Sequence, residues 1–308
     1  MRLLVVGTLA FDSVETPHGV RDNTLGGSAS FSAIAAAYFC PVRMVGVVGD
    51  DFPEEHLEFY QTRAIDIAGV ERSPGKTFRW SGVYSHDFNA RETRETQLNV
   101  LETFDPVVPP AYLDSEFVVL GNFDPTLQRK VLEQLKKPQL VAADTMDFWI
   151  NGANAELKKT LARVDLLSIN DEEARLLSGE HSLVKAAEYI RRLGPKMVVI
   201  KRGEHGATVF SEDGIFMAPA YPLLSVKDPT GAGDCFAGGL MGFLAQHNTV
   251  SPQILRRAVI MGSTLASFAV EDFSLDRFRN LHAEEIKDRF KAFRDLTHFE
   301  TGDPFASR

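Results

Sequence analysis

The length, composition and charge of the chain limit the class of protein that it can be. The sequence has 308 residues, of which 44% are hydrophobic and 24% are charged, as in an ordinary folded domain. Its formal net charge of −9 at pH 7 repels polyanions, which excludes a dedicated nucleic-acid binder with its basic footprint. The same composition excludes fibrous, collagen-like and wholly disordered chains.

Cysteine usage and the N-terminal run predict a location. The two cysteines, Cys40 and Cys235, lie far apart in the sequence, which suits neither a disulfide framework nor a zinc site with closely spaced ligands. Two reduced thiols indicate a cytoplasmic protein. The apolar run at Leu3–Val6 is too short for a signal peptide, and no run approaches the roughly 18 apolar residues of a membrane span. We therefore predict a cytoplasmic protein without a membrane partner.

Short apolar strands alternate with helical patterns along most of the chain. The predicted strands, in chain order, are Leu3–Val6, Met44–Val48, Phe117–Leu120, Leu140–Ala143, Leu166–Ile169, Met197–Ile200 and Thr208–Phe210. The predicted helices are Ser28–Phe39, Glu54–Ala64, Thr126–Lys136, Asn154–Val164, Asp171–Ser178, Leu183–Leu193, Gly233–Ala245, Ser251–Phe268 and Ala283–Thr297. This alternation predicts an α/β fold with a mostly parallel central sheet, whose ligands bind at the carboxyl ends of the strands. Because no linker or repeat divides the chain, we predict one domain over residues 1–308.

Three segments interrupt the alternation. Lys76–Tyr84 and Glu95–Thr103 carry β-branched and aromatic residues in roughly alternating order without a helix between them, which predicts antiparallel strands outside the main sheet. Residues 13–24 are polar and non-helical and could add a further piece. One interpretation is a small β lid formed by about 13–24 and 76–103. The alternative is a peripheral hairpin with no role in binding.

The strongest chemical signal is the glycine-rich segment Asp228–Gly239, which reads DPTGAGDCFAGG. Small residues at Gly231, Ala232 and Gly233 let backbone N–H groups converge at the start of a helix, where the helix dipole favours an anion. Such an anion hole suits a phosphoryl group, and Asp234 in the first turn could accept a proton from an attacking hydroxyl. The alternative is a glycine turn followed by an ordinary N-terminal aspartate.

This segment closely resembles the C-terminal motif of the ribokinase-like (PfkB-type) carbohydrate kinases, D-[TP]-T-G-A-G-D-x-F. Further matches follow in the order of that family, at Gly7–Asp12, Gly26–Ser30, Val48–Phe52, Asn170–Glu173 and Lys201–Gly206. The resemblance spans roughly residues 3–270. It implies a ribokinase-like three-layer α/β/α sandwich with a mostly parallel central sheet and a small β lid.

The resemblance also implies roles for individual residues in ATP-dependent phosphoryl transfer. Asp234 is expected to be the general base, with the amides of Gly231, Ala232 and Gly233 as the anion hole. The implied nucleotide-binding residues are Asn170, Lys201, Gly203, Gly206 and Ser263. The implied metal-binding residues are Glu173, which would hold Mg²⁺ through water, and Asp228 and Thr230, which match a monovalent-cation site. The candidate acceptor-binding residues are Asp12, Gly26, Gly27, Phe31, Asn122, Asp144 and Asp234.

Simpler interpretations stand beside several of these roles. Asn170 and Glu173 could form a helix cap with a solvated acid, and Ser263 could serve packing alone. The family places an asparagine where this chain has Phe31, so the ring could narrow the pocket or turn into the core. Asn122 or Asp144 could then supply the missing contact. Residues 270–276 contain no glycine, unlike the family's cation loop, which puts dependence on potassium in doubt.

Three arginines of the lid segments leave the charge of the acceptor open. If Arg79, Arg91 or Arg94 faces inward, the acceptor could carry a carboxylate or phosphate, since arginine binds such groups through two parallel hydrogen bonds. The alternative is solvated charges on edge strands that discourage aggregation.

We therefore predict an ATP- and Mg²⁺-dependent kinase that phosphorylates a hydroxyl of a small carbohydrate or polyol. One alternative is a nucleoside kinase of the same fold, in which Phe31, Trp80 or Tyr84 would stack on the base. A less favoured alternative is a non-catalytic ligand-binding regulator, which would have no need of Asp234 as a base. The expected partner is a sugar-like small molecule, and relatives suggest a homodimer through the lid.

Overall fold

The predicted alternation of strands and helices is present in the computed structural model, which describes residues 2–88 and 90–298. The strands are β1 (Leu3–Val6), β2 (Ala10–Thr16), β3 (Gly19–Gly26), β4 (Val42–Val48), β5 (Ile65–Arg72), β6 (Phe78–Tyr84), β7 (Arg91–Gln97), β8 (Phe117–Leu120), β9 (Leu140–Asp144), β10 (Leu166–Asn170), β11 (Met197–Lys201), β12 (Ala207–Ser211) and β13 (Gly214–Ala218). The helices are α1 (Ser28–Ala36), α2 (Glu54–Thr62), α3 (Pro125–Gln134), α4 (Asp147–Gly152), α5 (Asn154–Leu161), α6 (Asp171–Ser178), α7 (Leu183–Arg192), α8 (Ala232–His247), α9 (Pro252–Ala269), α10 (Asp276–Arg279) and α11 (Ala283–Thr297).

The main sheet has nine strands in the order β13-β12-β11-β10-β9-β8-β1-β4-β5. Its strands pair in parallel from β5 to β11, while β12 and β13 add an antiparallel edge. Apolar side chains of the central strands alternate between two cores, one shared with α1, α8 and α9 and the other with α3, α5, α6 and α7. Burial on both faces explains why these strands read as continuous apolar runs. The predicted α/β fold with three layers is confirmed.

Two edge strands escaped prediction because they are not buried runs. Only Ile65 and Gly69 are buried along β5, and β13 buries Ala218 alone. Strands of this kind form through backbone pairing with a neighbour, and their side chains need not be apolar. The short helices α4 and α10 were also missed, for the related reason that each buries a single side chain.

A second sheet has the order β3-β2-β6-β7. Strands β2 and β6 pair in parallel, whereas β2 pairs with β3 and β6 with β7 in antiparallel. The predicted strand at Glu95–Thr103 is displaced: β7 ends at Gln97, and Asn99–Thr103 is a 3₁₀ turn. Nearly all side chains of β7 are exposed, so no apolar alternation marks its position. That the second sheet acts as a lid stays a prediction.

Helix α8 packs closely on α1 because it carries glycines on the contact face. A Cβ at Gly238 would overlap the backbone of Ser32, and one at Gly242 would lie 2.8 Å from the Cα of Ala36. This close approach brings the start of α8 beside α1. No helix within residues 2–88 and 90–298 combines the length and apolar character needed to cross a bilayer.

Candidate active site

Polar side chains collect at the carboxyl ends of three adjacent strands of the main sheet. Asp144, Asn170 and Lys201 are the last residues of β9, β10 and β11. Asn170 pairs in register with Lys201, and the Lys201 Nζ atom lies 3.3 Å from Asp144 Oδ2. This edge is where ligands bind in parallel α/β sheets.

Asp234 lies in the first turn of α8 and faces this group of side chains. Burial raises the pKa of Asp234 to about 7; the carboxylates of Asp144 and Glu173 contribute to the rise and the Lys201 ammonium opposes it. Burial lowers the pKa of Lys201, but attraction to the same three carboxylates outweighs that effect and the pKa is raised. Asp234 therefore titrates near neutral pH beside a fixed cation, as a general base requires.

The glycine turn before α8 has the backbone form that the motif predicts. Gly231 adopts a left-handed conformation with φ of 74°, and a Cβ there would overlap the ring of Phe31. Glycine is therefore required at position 231, while a Cβ at Gly233 would lie 2.9 Å from the mobile end of the Lys201 side chain, at Nζ. The Ala232 N–H donates to the Pro229 carbonyl oxygen at 3.2 Å and is thus already engaged in the turn.

A fourth carboxylate, that of the predicted acceptor-binding residue Asp12, belongs to the same region. Asp12 on β2 is only 6% exposed. Burial raises its pKa to about 7, as do the charges of Asp228 and Asp234, while the N–H of Gly27 opposes the rise. A Cβ at Gly26 would overlap the Asp12 carboxyl group, which explains why glycine stands there. The structure therefore brings Asp12 and Asp234 close enough for their charges to interact.

Two other candidate acceptor residues are engaged elsewhere. Phe31 is 1% exposed and packs in the core against Gly231. Of its two interpretations, the ring that turns into the core is therefore the one observed. The Asn122 amide donates to Met146 Sδ at 2.9 Å and accepts from Trp149 Nε1 at 3.0 Å. Since both polar ends of the Asn122 amide are paired, it would have to break contacts before it could bind a hydroxyl.

The predicted nucleotide-binding residues lie at the neighbouring strand ends. Gly203 begins a 3₁₀ turn after β11, and a Cβ there would meet no atom within 4 Å, so a ligand has room to approach. Gly206 ends that turn with φ of 81°, where a side chain would overlap the backbone of Ala218. Ser263 is 7% exposed on α9.

Asn170 and Glu173 form a capping box at the start of α6, with each side chain bonded to the other's backbone N–H at 2.8 and 3.0 Å. The simpler interpretation of this pair is thus correct about the cap. The acid, however, is only partly exposed, and burial raises the pKa of Glu173 to about 7. The cap uses only Oε2 of Glu173, so Oε1 makes no hydrogen bond within the capping box.

The residues present fit Mg²⁺ held mainly by nucleotide and water. Among the described residues, no three or more His, Cys, Asp or Glu side chains are grouped to hold a metal by themselves. Mg²⁺ keeps several waters and needs only one or two carboxylates beside the phosphates. Glu173 and Asp144 supply that negative charge, which Lys201 alone does not balance.

The predicted monovalent-cation residues do not fit that role well. Asp228 Oδ1 accepts from the N–H of Thr230 at 2.9 Å, and Oδ2 accepts from the N–H of Ser274 at 3.2 Å. Lys227 Nζ pairs with Asp272 Oδ1 at 3.1 Å. The loop after α9 is therefore fastened to the glycine turn by protein donors and an ion pair.

The second sheet contacts the glycine turn directly. The Thr230 hydroxyl donates to the Tyr84 hydroxyl at 3.2 Å. Sequence reasoning missed this contact, and also the Ser274 N–H on Asp228, because each joins residues far apart in the chain. The local sequence around either residue therefore does not predict such contacts.

Comparison with known proteins gives a consistent result. The sequence profile of the pfkB family of carbohydrate kinases matches residues 5–278. The cytidine kinase of Thermococcus kodakarensis is 33% identical over 263 residues, which cover 81% of this chain and 90% of that protein. The nucleoside kinase of Methanocaldococcus jannaschii superposes with a TM-score of 0.75 at 18% identity, covering 94% of this chain and 98% of that one. The ribokinase of Thermotoga maritima superposes with a TM-score of 0.74 at 22% sequence identity, and the match covers 94% of this chain and 99% of that one.

The two structural matches establish a ribokinase-like fold, as the motifs imply. The family match extends from β1 to α10 and includes the glycine turn, Asp234 and the strand ends described above. The chain therefore belongs to the pfkB family of carbohydrate kinases, and it is a phosphotransferase that acts on a hydroxyl group.

Proposed function

We propose that this protein is an ATP- and Mg²⁺-dependent kinase that transfers the γ-phosphoryl group to a hydroxyl of an uncharged, polyhydroxylated small molecule. The observation that carries the proposal is Asp234, a partly buried carboxylate at the glycine turn whose pKa is raised to about 7. A group with this pKa is about half ionised at pH 7, and its ionised form is basic enough to take a hydroxyl proton.

The reaction follows from the arrangement of the chain's own groups. The acceptor hydroxyl lies between Asp12 and Asp234, and its proton passes to the Asp234 carboxylate. Its oxygen forms a bond to the γ-phosphorus as the bond to the bridging oxygen breaks, and that electron pair leaves with ADP. Lys201 and the N–H groups of Gly231 and Gly233 stabilise the charge on the transferring group. Mg²⁺, when bound with the nucleotide, supplies further charge neutralisation.

The acceptor side of the pocket predicts that the substrate is uncharged. Asp12 lies close enough to Asp228 and Asp234 for their charges to raise its pKa. An acceptor carboxylate or phosphate about 5 Å from one such charge would be repelled by about 3 kcal/mol at an effective dielectric constant of 20. The pocket therefore favours pentoses, hexoses, cyclitols and nucleosides over sugar acids and sugar phosphates.

The test is ADP formation from Mg-ATP with a panel of these six acceptor classes. We expect kcat/KM for neutral acceptors to exceed that for the matched acids and phosphates by on the order of 10²-fold. A sugar acid or sugar phosphate as the best substrate would show that the acceptor is anionic. If no acceptor is phosphorylated while ATP still binds, the regulator interpretation gains support.

A nucleoside is the second candidate acceptor. It is favoured by the similarity to a cytidine kinase. A kcat/KM higher for nucleosides than for free sugars in the same panel would identify the acceptor as a nucleoside.

A homodimer through the second sheet and a cytoplasmic location also stay predictions.

We expect activity to be independent of potassium. Both carboxylate oxygens of Asp228 already accept backbone N–H groups, so the loop that a cation would order is ordered by Ser274 and by the Lys227–Asp272 pair. Rates measured at constant ionic strength in potassium and in choline chloride should agree within about twofold. A rate in potassium more than tenfold higher would contradict this. Sodium serves as a control for cation size.

A further inference from the structure

Arg91 is the first residue of β7, the strand of the second sheet that pairs with β6. It pairs in register with Tyr84 across β6 and β7, and directly opposed residues of an antiparallel pair project from the same face. The Tyr84 hydroxyl contacts Thr230, the residue before Gly231. The face that carries Arg91 therefore lies over the glycine turn.

The other two lid arginines are neutralised by carboxylates outside this region. Arg79 Nη2 pairs with Asp51 Oδ2 at 2.7 Å, and Arg94 Nη1 pairs with Glu15 Oε2 at 2.6 Å. Arg79 is aligned with Phe11, the neighbour of Asp12 along β2, so it projects from the face opposite to that of Asp12. Neither arginine is directed at the site.

Arg91 has a different environment. Its guanidinium lies over the Trp80 ring, 5.5 Å from the ring centroid, and within residues 2–88 and 90–298 no ion pair holds it. A stacked, exposed arginine without a carboxylate partner keeps its five N–H donors available. Trp80 thus orients the side chain while leaving its charge unpaired.

We propose that Arg91 is a catalytic residue of the kinase, which contacts the γ-phosphoryl oxygens from the second sheet while Lys201 contacts them from the main sheet. This inference rests on the proposed function. Arg91 takes no part in the proton transfer. It donates hydrogen bonds to the oxygens of the group in flight, whose negative charge is spread over three atoms that a guanidinium matches well.

The experiment compares Arg91→Met with Arg94→Met, a matched control three residues along the same strand. Methionine keeps most of the apolar stem and removes the charge. We expect Arg91→Met to lower kcat by about 10²-fold, as loss of one transition-state donor does, with KM for the acceptor changed less than about threefold. Arg91→Lys should recover part of the loss, and Arg94→Met should match the wild type.

A binding measurement separates transition-state contact from a structural effect. Calorimetry would compare ADP alone with ADP plus aluminium fluoride, Mg²⁺ and the best acceptor. We expect Arg91→Met to bind ADP normally and to lose at least about tenfold in affinity for the aluminium fluoride complex. Unchanged kcat and unchanged binding of that complex would overturn the role of Arg91 while leaving the proposed function intact. A wild-type enzyme that phosphorylates no acceptor would instead overturn the proposed function, and the role of Arg91 with it.

Discussion

Replacing Asp234 by asparagine is expected to lower kcat by about 10³-fold, within the range that general-base catalysis supplies, and to leave the affinity for ATP within about threefold. Asparagine keeps the shape of the side chain but cannot take the acceptor proton. In the proposed function the nucleotide binds at the ends of β10 and β11, and the substitution changes neither strand end. Initial rates of ADP formation and calorimetry with a non-hydrolysable ATP analogue measure the two effects.

The same variant is expected to be more stable than the wild type at pH 8. The pKa of Asp234 is raised from 3.8 to about 7 by burial and by Asp144, so the folded state binds this proton more tightly than the unfolded state. Stability from that proton is present at low pH and is lost as the pH rises through 7. We expect Tm to rise by on the order of 2 °C or more at pH 8, and the gain to shrink towards pH 4.

Asp213→Asn is the control for this variant, because Asp213 is exposed in the turn between β12 and β13. It should change neither rate nor Tm. Near-normal turnover in Asp234→Asn would show that another group takes the proton. Loss of ATP affinity would show that the variant disturbs the nucleotide side and that kcat alone is not informative.

Replacing Lys201 by methionine is expected to shift the pH dependence of kcat/KM upwards by at least about one unit and to lower the rate at pH 7 by about 10²-fold. Burial raises the pKa of Asp234 and of Glu173, and in both cases the Lys201 charge opposes the rise. Without that charge, Asp234 needs a higher pH to ionise. The wild-type kcat/KM should rise with a midpoint near pH 7, and the midpoint of the variant should lie at a higher pH.

Two controls make the Lys201 result interpretable. Lys130→Met removes an exposed lysine paired with Asp105 on the surface and should leave the profile unchanged. Lys201→Arg keeps the charge and should restore most of the original midpoint. Because loss of a buried cation costs about 3–5 kcal/mol when its partners stay charged, thermal melting must first show that the variant is folded at the assay temperature. An unshifted profile in a folded variant would contradict the assignment of Asp234 as the titrating base.

The parts of the site that lie within one stretch of chain were predictable from the sequence. The motif Asp228–Gly239 places a left-handed glycine and an acid at a helix start by local geometry alone, and α8 begins at Ala232 as expected. Apolar runs such as Phe117–Leu120 predicted strands for the same reason, since a strand buried on both faces has no polar positions. Local sequence thus determined the three-layer fold and the position of the candidate base.

What depends on distant neighbours was decided by the tertiary structure. Phe31 turned into the core because the left-handed backbone at Gly231 leaves room for its ring, and Asp144 joined Lys201 because β9 and β11 both border β10. The direction of each lid arginine follows from the register of β6 and β7, which an irregularity at Ser81 and Gly82 shifts. A one-residue change of register exchanges the two faces of a strand. Composition and residue spacing do not predict the register. Only the tertiary structure distinguishes Arg91, which has no ion pair among the described residues, from Arg79 and Arg94, which pair with carboxylates.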